Sequence, residues 1–426
     1  MKREVVPCLR APGIRKSELA HPWHSVRLAN LGQEIGRGCP SKLRKRIVIL
    51  GSTGSVGKQA LEVVRAESQY FEVIGLTAKD NWRLLKQQTQ EFSPSAVALA
   101  NKKNVSKLEG LRRGVKIFGG EEGILELIES LPADLILSCI VGKAALIPTM
   151  KALNSGRNVG LANKESMVMA GRLLMEEAHQ RGNLLIPVDS EQSAIFQCLQ
   201  GHRIEDVRRM YLTASGGPFR DWQGDFGKIT PEQSLSHPRW DMGPKVSLDS
   251  ATLANKALEV IETSHLFEIE LDRIEILIHP QSIVHSLVEF VDGSILAQLG
   301  ITDMRLPIHY ALNFPERRAS HLPHLGLSQL DRLSFESPDY EKFPALRLGY
   351  RAGKEGGTLP AVFNAVDEEA GRAFLSRRIT FPGIARLIER VMGQHRVIAN
   401  PCLEEILEAD EWAREKTREL VGKIDS

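Results

Sequence analysis

The sequence predicts an α/β fold in which a doubly wound parallel sheet is followed by a smaller α+β domain and a helical domain. Short apolar β-type runs alternate with helical spacing up to about residue 188, as in parallel strands joined by crossover helices. Beyond that point, alternating strands follow one long helix, and 344–423 shows helical spacing alone. The 426 residues also exceed the ~250–300 that one core usually organises, so several domains are expected.

The strands of the first domain are predicted where apolar, β-branched runs are bounded by glycine or polar residues. The first run, 47–50, leads into a glycine turn and then into helical spacing over 58–67. The other β-type runs are 71–78, 96–100, 135–141, 158–162 and 184–188, and helical segments are expected at 123–130 and 171–181.

The later domains are predicted from a change of pattern near residue 189. A glycine loop at 215–217, a loop-like segment at 237–243 and a helix at 251–267 precede strands at 274–278, 283–291 and 295–299. A less regular stretch follows over 315–340. The expected division is a basic extension (1–44), an α/β domain (45–188), an α+β domain (189–325), a linker (326–343) and an α-helical domain (344–426).

The net charge of +2 hides an uneven distribution. Residues 1–46 hold 11 of the 55 Lys and Arg residues but only 3 of the 53 acidic ones, which leaves 44 basic and 50 acidic residues in the body. The extension cannot bury a core, so it is predicted to be a disordered tail or the result of a start codon assigned too early. A transit peptide for a plastid-type organelle is the alternative, although glutamates are unusual in such segments. The acidic body predicts no nucleic-acid partner.

Neither a membrane-spanning helix nor a framework of structural disulfides is expected. The longest apolar stretch, 135–148, is interrupted by Ser138, Gly142 and Lys143 and falls short of the ~18 apolar residues that a membrane-spanning helix needs. The five cysteines are odd in number and form no CxxC pair, which disfavours structural disulfides and zinc. A reducing compartment is therefore expected, namely a cytoplasmic location in a bacterial-type cell.

Gly51, Gly54 and Gly57 lie between the first strand and the first helix. Small residues there permit a tight turn and let a pyrophosphate approach the N–H groups at the positive end of the helix, which predicts a Rossmann-like dinucleotide site. A turn without a ligand is the alternative. An acidic residue after the second strand would favour NAD, but this chain has Lys79, which favours the 2′-phosphate of NADPH. The adjacent Asp80 weakens that inference.

Two groups of polar residues predict a metal site. Asp189 and Glu191 follow the last strand of the first domain, at the edge where open α/β sheets bind ligands, and two such carboxylates can converge on one hard cation. Asn255 and Lys256 precede Glu259 by four and three residues on a predicted helix, so the three share one face. A solvated turn and an ordinary Lys–Glu surface pair are the alternatives. Against the latter, Glu259 stands among apolar residues, where a carboxylate needs a cation.

Donors suited to a phosphate are supplied by Ser215, Gly216, Gly217, Ser250, Asn255 and Lys256. The segment 237–243 combines His237, Trp240, Met242 and Gly243. We expect it to be a lid that closes on substrate and excludes water, and a structural, buried Trp240 is the alternative.

Seven motifs resemble those of the 1-deoxy-D-xylulose 5-phosphate reductoisomerase family, in the family's order: LGSTGSVGKQALEVV, GLANKESMVMAG, PVDSEQSAIFQCL, LTASGGPFR, HPRWDMGPKVSLDSATLANKALEVIE, HPQSIVHSLVEFVDGSILAQL and DMRLPIHYAL. The resemblance covers about 45–426, and its DSE and NKALE elements are highly specific. It implies conversion of 1-deoxy-D-xylulose 5-phosphate to 2-C-methyl-D-erythritol 4-phosphate with NADPH, in the non-mevalonate pathway to isoprenoids. It also implies Mg²⁺ or Mn²⁺, with Co²⁺ as an alternative, and a homodimer built through the catalytic α+β domain.

The resemblance assigns roles residue by residue. Asp189, Glu191 and Glu259 are expected to ligate the metal and, with Lys164, to carry catalysis. The expected cofactor contacts, including Lys79 from its place after the second strand, are Thr53, Gly54, Ser55, Val56, Lys79, Asn81, Asn163, Lys164, Glu165 and Gly243. The expected substrate contacts are Lys164, Ser190, Glu191, Ser215, His237, Trp240, Ser250, Asn255, Lys256 and Glu259.

A few positions depart from the family pattern. Lys79 and Asp80 stand where Gly-Lys is frequent, which leaves the 2′-phosphate contact open to rearrangement. Thr302 replaces a common Pro, and Asp367 replaces the Asn of a usual Asn-Glu pair. None of these positions belongs to the metal constellation, so activity is still expected.

Two other functions are alternatives to this one. A semialdehyde or homoserine-type dehydrogenase shares a GxTGxVG opening, but semialdehyde enzymes need a nucleophilic Cys, and Cys139 and Cys198 stand in apolar segments. A non-catalytic NADPH sensor would need neither the three carboxylates nor the phosphate donors. A reductoisomerase acting on a sugar phosphate accounts for all of these elements.

Overall fold

The computed structural model describes residues 44–111, 113–237 and 242–423. The predicted basic extension lies outside the described residues except for Arg44, and so does Trp240 of the predicted lid. Within the described ranges, no helix is both long enough and apolar enough to cross a membrane.

A seven-stranded parallel sheet forms the N-terminal part of the fold. Its strands are β1 (Lys45–Leu50), β2 (Phe71–Ala78), β3 (Ala96–Leu99), β4 (Lys116–Gly119), β5 (Leu135–Ser138), β6 (Asn158–Leu161) and β7 (Leu185–Pro187). The spatial order is β4-β3-β2-β1-β5-β6-β7, so β1 lies at the point where the strand order reverses. Residues 47–50 of β1 are all fully buried, and since successive side chains point to opposite faces, both faces of the strand are covered.

Helices connect these strands, as the alternating pattern predicts. They are α1 (Ser55–Ala66), α2 (Trp82–Phe92), α3 (Gly120–Ser130), α4 (Leu146–Asn154) and α5 (Lys164–Arg181), and α6 (Ser190–Cys198) follows β7. The turn after β1 and the loop after β5 lie side by side at the carboxyl ends of the strands, where ligands of open α/β sheets bind.

A second, four-stranded sheet follows. It consists of β8 (Val207–Ala214), β9 (Ile274–Ile278), β10 (Val284–Phe290) and β11 (Ile295–Leu299), in the order β11-β10-β8-β9. The strand β10 is antiparallel to both β8 and β11, whereas β8 and β9 are parallel. The helices of this part are α7 (Pro231–Ser234), α8 (Pro244–Thr252), α9 (Ala254–Phe267) and α10 (Arg305–Asn313).

The C-terminal part of the described chain is helical. Its helices are α11 (Ala345–Glu355), α12 (Leu359–Leu375), α13 (Phe381–Met392) and α14 (Leu403–Gly422). The helix α11 packs on α9, and α12 packs on α5, so this layer rests on helices from both preceding parts. One cluster of buried apolar side chains extends from Ile47 to Val421 and joins all three parts. The predicted fold class is thereby confirmed.

The structure contains two strands that the sequence pattern did not predict. The edge strand β4 is short and little buried, so its sequence lacks an apolar run. The strand β8 is central in the second sheet, but Arg208 and Arg209 interrupt its apolar pattern. Both arginines are accommodated by ion pairs, with Glu289 at 2.8 Å and Glu275 at 2.5 Å respectively.

Two predicted helices were wrong in extent. The helix expected at 251–267 is interrupted at Leu253, whose φ of 58° is left-handed and separates α8 from α9. Leu253 is buried, so tertiary packing holds a conformation that its own sequence does not favour. The helix expected at 171–181 is present, but it follows a kink at Ala170 (φ −139°, ψ 29°), and a further helical segment, capped by Asn163, precedes it from Lys164.

We predict that Gly57→Ala destabilises the turn between β1 and α1. A Cβ at Gly57 would lie 2.3 Å from the Gly51 oxygen and 2.6 Å from the Ser52 Cα, so the helix must move off the turn. Overpacking of this kind costs about 1–3 kcal/mol, and urea denaturation measures the expected fall in the free energy of unfolding. Gly422→Ala is the control, since a Cβ there meets nothing within 4 Å. Equal unfolding free energies in the two variants would contradict the close contact.

Candidate active site

Three carboxylates converge where β7 ends and where α9 passes. Asp189 caps α6 by accepting a hydrogen bond from the Ser190 N–H at 3.0 Å, and Glu191 lies in the first turn of that helix. Glu259 lies on α9 and is fully buried. One oxygen atom from each carboxylate lies within 4.8 Å of the other two. The structure therefore brings together the two groups of acidic residues that the sequence placed far apart.

Two lysines lie among these carboxylates. The Lys164 Nζ atom donates a hydrogen bond to Glu259 Oε1 at 2.9 Å and forms an ion pair with Asp189. The Lys256 Nζ atom lies 2.6 Å from Glu191 Oε1 and 2.5 Å from Glu259 Oε2. Glu259 is thus held by both ammonium groups, one on each oxygen.

Helical spacing produces the local part of this arrangement. Asn255 and Lys256 share one face of α9 with Glu259, and the Asn255 amide donates to Glu259 Oε1 at 2.5 Å. The Asn255 Oδ1 atom accepts from Lys164 at 2.9 Å. The hydroxyl of Ser190 donates to Glu191 Oε2. These side-chain bonds orient the polar groups of the cluster towards one another.

Burial and neighbouring charges perturb these groups in different directions. Burial raises the pKa of Glu259 to about 7, and the charge of Glu191 adds to the rise. Burial acts on Glu191 as well, but the ammonium group of Lys256 lowers its pKa to about 2. Burial opposes the charged form of Lys164, yet Asp189 and Glu259 hold its pKa well above the usual range. The neighbouring carboxylates thus favour the protonated form of Lys164.

The donor set fits a hard divalent cation. Three carboxylates converge on two ammonium groups, so the acidic groups of the cluster outnumber the cations that pair with them. Glu262 is buried nearby, and both its burial and the charge of Asp189 raise its pKa well above the usual value. Carboxylate oxygens are the ligands that Mg²⁺ and Mn²⁺ prefer. Asp189, Glu191 and Glu259 are the residues that would hold such an ion.

The loop after β8 carries part of the expected phosphate site. Gly216 and Gly217 have φ values of 89° and 67°, and a Cβ on Gly217 would lie 2.5 Å from the Ser250 oxygen. The loop therefore rests directly on the backbone of α8. The Ser215 Oγ atom accepts from the Gly217 N–H at 3.2 Å and lies 3.0 Å from His237 Nε2. The described contacts join Ser215 to His237, whereas Asn255 and Lys256 belong to the carboxylate cluster.

The described ends of the expected lid are His237, Met242 and Gly243. Burial lowers the pKa of His237 to about 4, so its ring is neutral at pH 7. Gly243 caps α8, and the Met242 oxygen accepts from Ser247 at 3.4 Å. Trp240 lies outside the described residues, so its expected role as a lid stays a prediction.

The turn between β1 and α1 fits a pyrophosphate. Gly51 has a φ of 80°, and a Cβ there would lie 2.9 Å from the Cys139 oxygen in the loop after β5, so the turn closes tightly against its neighbour. Gly54 caps α1 without a side-chain hydrogen bond, which leaves the positive end of the helix open to an anion. The residues expected to contact the pyrophosphate occupy this turn and the first turn of α1: Thr53, Gly54, Ser55 and Val56.

The remaining expected cofactor contacts lie at two helix starts. Lys79 is exposed after β2, and Asn81 caps α2 with a side-chain hydrogen bond of 3.1 Å to its first turn. Asn163 caps α5 in the same way at 2.8 Å, and Lys164 and Glu165 form the first turn of that helix. The cap is what places the Lys164 side chain beside the carboxylates.

Sequence reasoning missed two charged residues, the partly buried Lys245 and the buried Glu262. Lys245 forms ion pairs with Asp249 at 2.6 Å and with Glu165 at 3.2 Å. The four-residue spacing of Lys245 and Asp249 is the only local signal for this group, and it is common on helix surfaces. Glu262 follows Glu259 by three residues on α9, so helical periodicity could have placed it on the same side.

The chain matches three family models. Residues 47–171 match 1-deoxy-D-xylulose 5-phosphate reductoisomerase, residues 185–267 match the C-terminal domain of 1-deoxy-D-xylulose 5-phosphate reductoisomerase, and residues 299–416 match the DXP reductoisomerase C-terminal domain. The second match includes both the DSE and the NKALE elements.

Similar proteins share nearly the whole length of the chain. The 1-deoxy-D-xylulose 5-phosphate reductoisomerase of Thermodesulfovibrio yellowstonii is 47% identical over 380 residues, which cover 89% of this chain and 100% of that protein. That of Geotalea uraniireducens is 47% identical over 381 residues, which cover 89% and 99%. The solved enzyme from Zymomonas mobilis in complex with NADPH has a TM-score of 0.84 and 39% identity, covering 89% of this chain and 99% of that one. A DOX-P reductoisomerase in complex with NADPH, fosmidomycin and magnesium has a TM-score of 0.84 and 35% identity, covering 90% and 99%.

We predict that Lys256→Met strongly destabilises the metal-free protein. Glu191 and Glu259 would lose one of their cations, and removing one partner of a buried ion pair costs about 3–5 kcal/mol. Urea denaturation measures the loss, and we expect added Mg²⁺ to restore part of it. Arg181→Met is the control, because its pair with Glu177 is half exposed and contributes less than about 1 kcal/mol. A loss as small as that of the control would show that Lys256 does not compensate the buried carboxylates.

Proposed function

Since the chain belongs to the 1-deoxy-D-xylulose 5-phosphate reductoisomerase family, we propose that the cluster around Asp189, Glu191 and Glu259 is its active site. The protein is an NADPH- and divalent-metal-dependent enzyme that converts 1-deoxy-D-xylulose 5-phosphate to 2-C-methyl-D-erythritol 4-phosphate in the non-mevalonate pathway. The observation that carries the assignment of the site is the convergence of three carboxylates within 4.8 Å beside the buried Lys164.

The residues of the cluster bind and orient the reacting groups. When bound, NADPH supplies a hydride and the divalent ion acts as a Lewis acid. Lys164 keeps its proton at Nζ because the surrounding carboxylates raise its pKa, so it serves as a hydrogen-bond donor to substrate oxygens. Ser190 adds a hydroxyl next to Glu191. Because the site is buried, these contacts act in a medium of low polarity, where they stabilise developing charge more strongly than in water.

The substrate phosphate is proposed to bind between the loop after β8 and α8. Ser215 and Ser250 offer hydroxyl groups. The backbone of Gly217 lies so close to the Ser250 carbonyl oxygen that a Cβ would not fit, which supports a fixed spacing between the loop after β8 and α8. The neutral ring of His237 orients the Ser215 hydroxyl without adding charge. Asn255 and Lys256 lie in the first turn of α9, which follows α8 after Leu253, so they are proposed to link the phosphate to the metal-binding carboxylates.

NADPH is proposed to lie along the carboxyl ends of the parallel strands. The open start of α1 supports a pyrophosphate site at Thr53, Gly54, Ser55 and Val56. Lys79 and Asn81, after β2, are proposed to lie near the 2′-phosphate and the adenosine. Asn163 and Glu165 at the start of α5, and Gly243 at the start of α8, are proposed to flank the nicotinamide.

A dehydrogenase of the semialdehyde type is not favoured. Such an enzyme needs a thiolate nucleophile, whereas burial raises the pKa of Cys139 to about 12 and that of Cys198 to about 11.

Both cysteines are free thiols, which a reducing compartment preserves. We therefore propose a cytoplasmic location in a bacterial-type cell, and import of the intact chain into isolated plastids would support the transit-peptide alternative.

We propose a homodimer that forms along β11. In the described part of the chain, this strand is at the edge of the second sheet and pairs only with β10. Its neighbour Val291 is 67% exposed, and Ile295 and Leu296 on the strand are 51% and 41% exposed. Apolar side chains on an unpaired edge strand invite association, and a second copy of the chain would cover them.

Glu259→Gln tests the active-site assignment. The variant keeps the size of the side chain but removes one anionic ligand, so we expect turnover to fall by about 10²-fold or more. Oxidation of NADPH on addition of 1-deoxy-D-xylulose 5-phosphate, with Mg²⁺ and with EDTA, is the measurement. Glu289→Gln is the matched control, since Glu289 lies in the second sheet and pairs with Arg208 outside the cluster. Full activity of Glu259→Gln, or of the wild-type protein in EDTA, would overturn the assignment.

Leu296→Glu tests the proposed dimer. A charge on the exposed edge of β11 would be buried without a partner in the interface, so we expect the variant to sediment as a monomer where the wild-type protein is a dimer. Leu327→Glu is the control, because Leu327 is 66% exposed in the irregular segment after α10. Unchanged sedimentation of Leu296→Glu would show that the copies associate elsewhere or that the protein is monomeric.

A further inference from the structure

Lys245, at the second position of α8, is surrounded by buried carboxylates. Its Nζ atom lies 2.6 Å from Asp249, 3.2 Å from Glu165 and 3.9 Å from Asp367. These three acids lie on α8, α5 and α12 respectively. The side chain of Lys245 is 23% exposed, and those of its partners are 6% exposed or less. One cation therefore joins three helices in the interior of the protein.

The three helices carry different parts of the proposed site. The first turn of α5 carries Lys164 and Glu165, and Glu165 Oε2 also accepts from the capping residue Asn163 at 2.6 Å. The helix α8 carries Ser250, on the phosphate side. The helix α12 comes from the C-terminal layer and packs on α5. Any movement of α8 relative to α5 would therefore change the distance between the proposed phosphate site on α8 and the proposed nicotinamide site at the start of α5.

Two of the three carboxylates near Lys245 pair most closely with its ammonium group. Burial raises the pKa of Asp367 well above its usual value, and the charge of Asp249 adds to the rise. Both effects favour the protonated form of Asp367. A protonated Asp has nearly the shape of the Asn that is usual at this position in the family, and it offers a donor as Asn does. Asp249 and Glu165, at 2.6 and 3.2 Å, are the closer ion-pair partners of Lys245.

We propose that Lys245 is a positioning residue that holds the start of α5, with Lys164 and Glu165, in a fixed relation to α8, with Ser250. This inference rests on the proposed function. Without the ammonium group, Glu165 and Asp249 would face each other as buried, uncompensated carboxylates, and the two helices would separate. A hydride donor and its acceptor react at about 3–3.5 Å, so a small displacement of the phosphate-anchored substrate from the nicotinamide lowers turnover.

Two variants separate positioning from charge balance. Lys245→Met removes the link and leaves two unpaired carboxylates, so we expect a lower melting temperature and a kcat at least tenfold lower. Lys245→Met combined with Asp249→Asn removes an anion along with the cation. We expect this double variant to regain most of the melting temperature while kcat stays at least tenfold low, because α5 and α8 are still not joined. The dissociation constant of NADPH, measured without metal by its fluorescence, is a readout that does not require turnover, and we expect it to rise at least threefold.

Arg414→Met is the matched control. Arg414 is as deeply buried as the partners of Lys245 and bonds to Asp410 and Glu368 within the C-terminal helices. We expect it to lower the melting temperature and leave kcat, KM and NADPH affinity unchanged. If the double variant shows wild-type kcat, KM and NADPH affinity, Lys245 only balances charge and the inference is wrong. If Lys245→Met fails to fold, the double variant decides alone. Absence of turnover in the wild-type protein would overturn the proposed function rather than the positioning role.

Discussion

A shortage of positive charge in the interior is the constraint on which the rest of the site depends. Asp189, Glu191 and Glu259 are largely removed from water, and within the described ranges Lys164 and Lys256 form ion pairs with them. An uncompensated buried carboxylate costs several kcal/mol, so α5, α6 and α9 must keep these side chains in contact. A divalent cation would supply further positive charge, and the three oxygen donors that would hold it lie within 4.8 Å of one another.

The first turn of α5 connects this cluster to a second one. Lys164 turns towards the carboxylates, while the adjacent Glu165 turns towards Lys245 and so towards α8 and α12. Buried ion pairs add little stability compared with apolar packing of the same volume. Their contribution here is geometric: they set how three helices from different parts of the chain lie relative to one another. In this way the C-terminal helical layer acts on the site without contributing a ligand to the metal.

Close backbone contacts shape the turns at the two proposed anion sites, for the pyrophosphate and for the substrate phosphate. Gly51 lets the turn after β1 close on the loop after β5, Gly57 lets α1 press on that turn, and Gly217 lets the loop after β8 rest on α8. Each contact leaves no room for a Cβ atom. The result is that backbone N–H groups and small polar side chains lie at the surface of tight turns, where a phosphate can reach them.

The sequence by itself determined what depends on neighbours along the chain. The glycine turn, most strands of the parallel sheet, and the shared face of Asn255, Lys256 and Glu259 follow from local periodicity and turn chemistry, and motif resemblance identified the family. Only the tertiary structure decided the break at Leu253, the central place of β8 and the contacts of Lys245. The physical reason is that each of these depends on residues remote in sequence. Tertiary packing holds Leu253 in the left-handed conformation, neighbouring strands pair with β8 despite its arginines, and Glu165 and Asp367 from other helices approach Lys245.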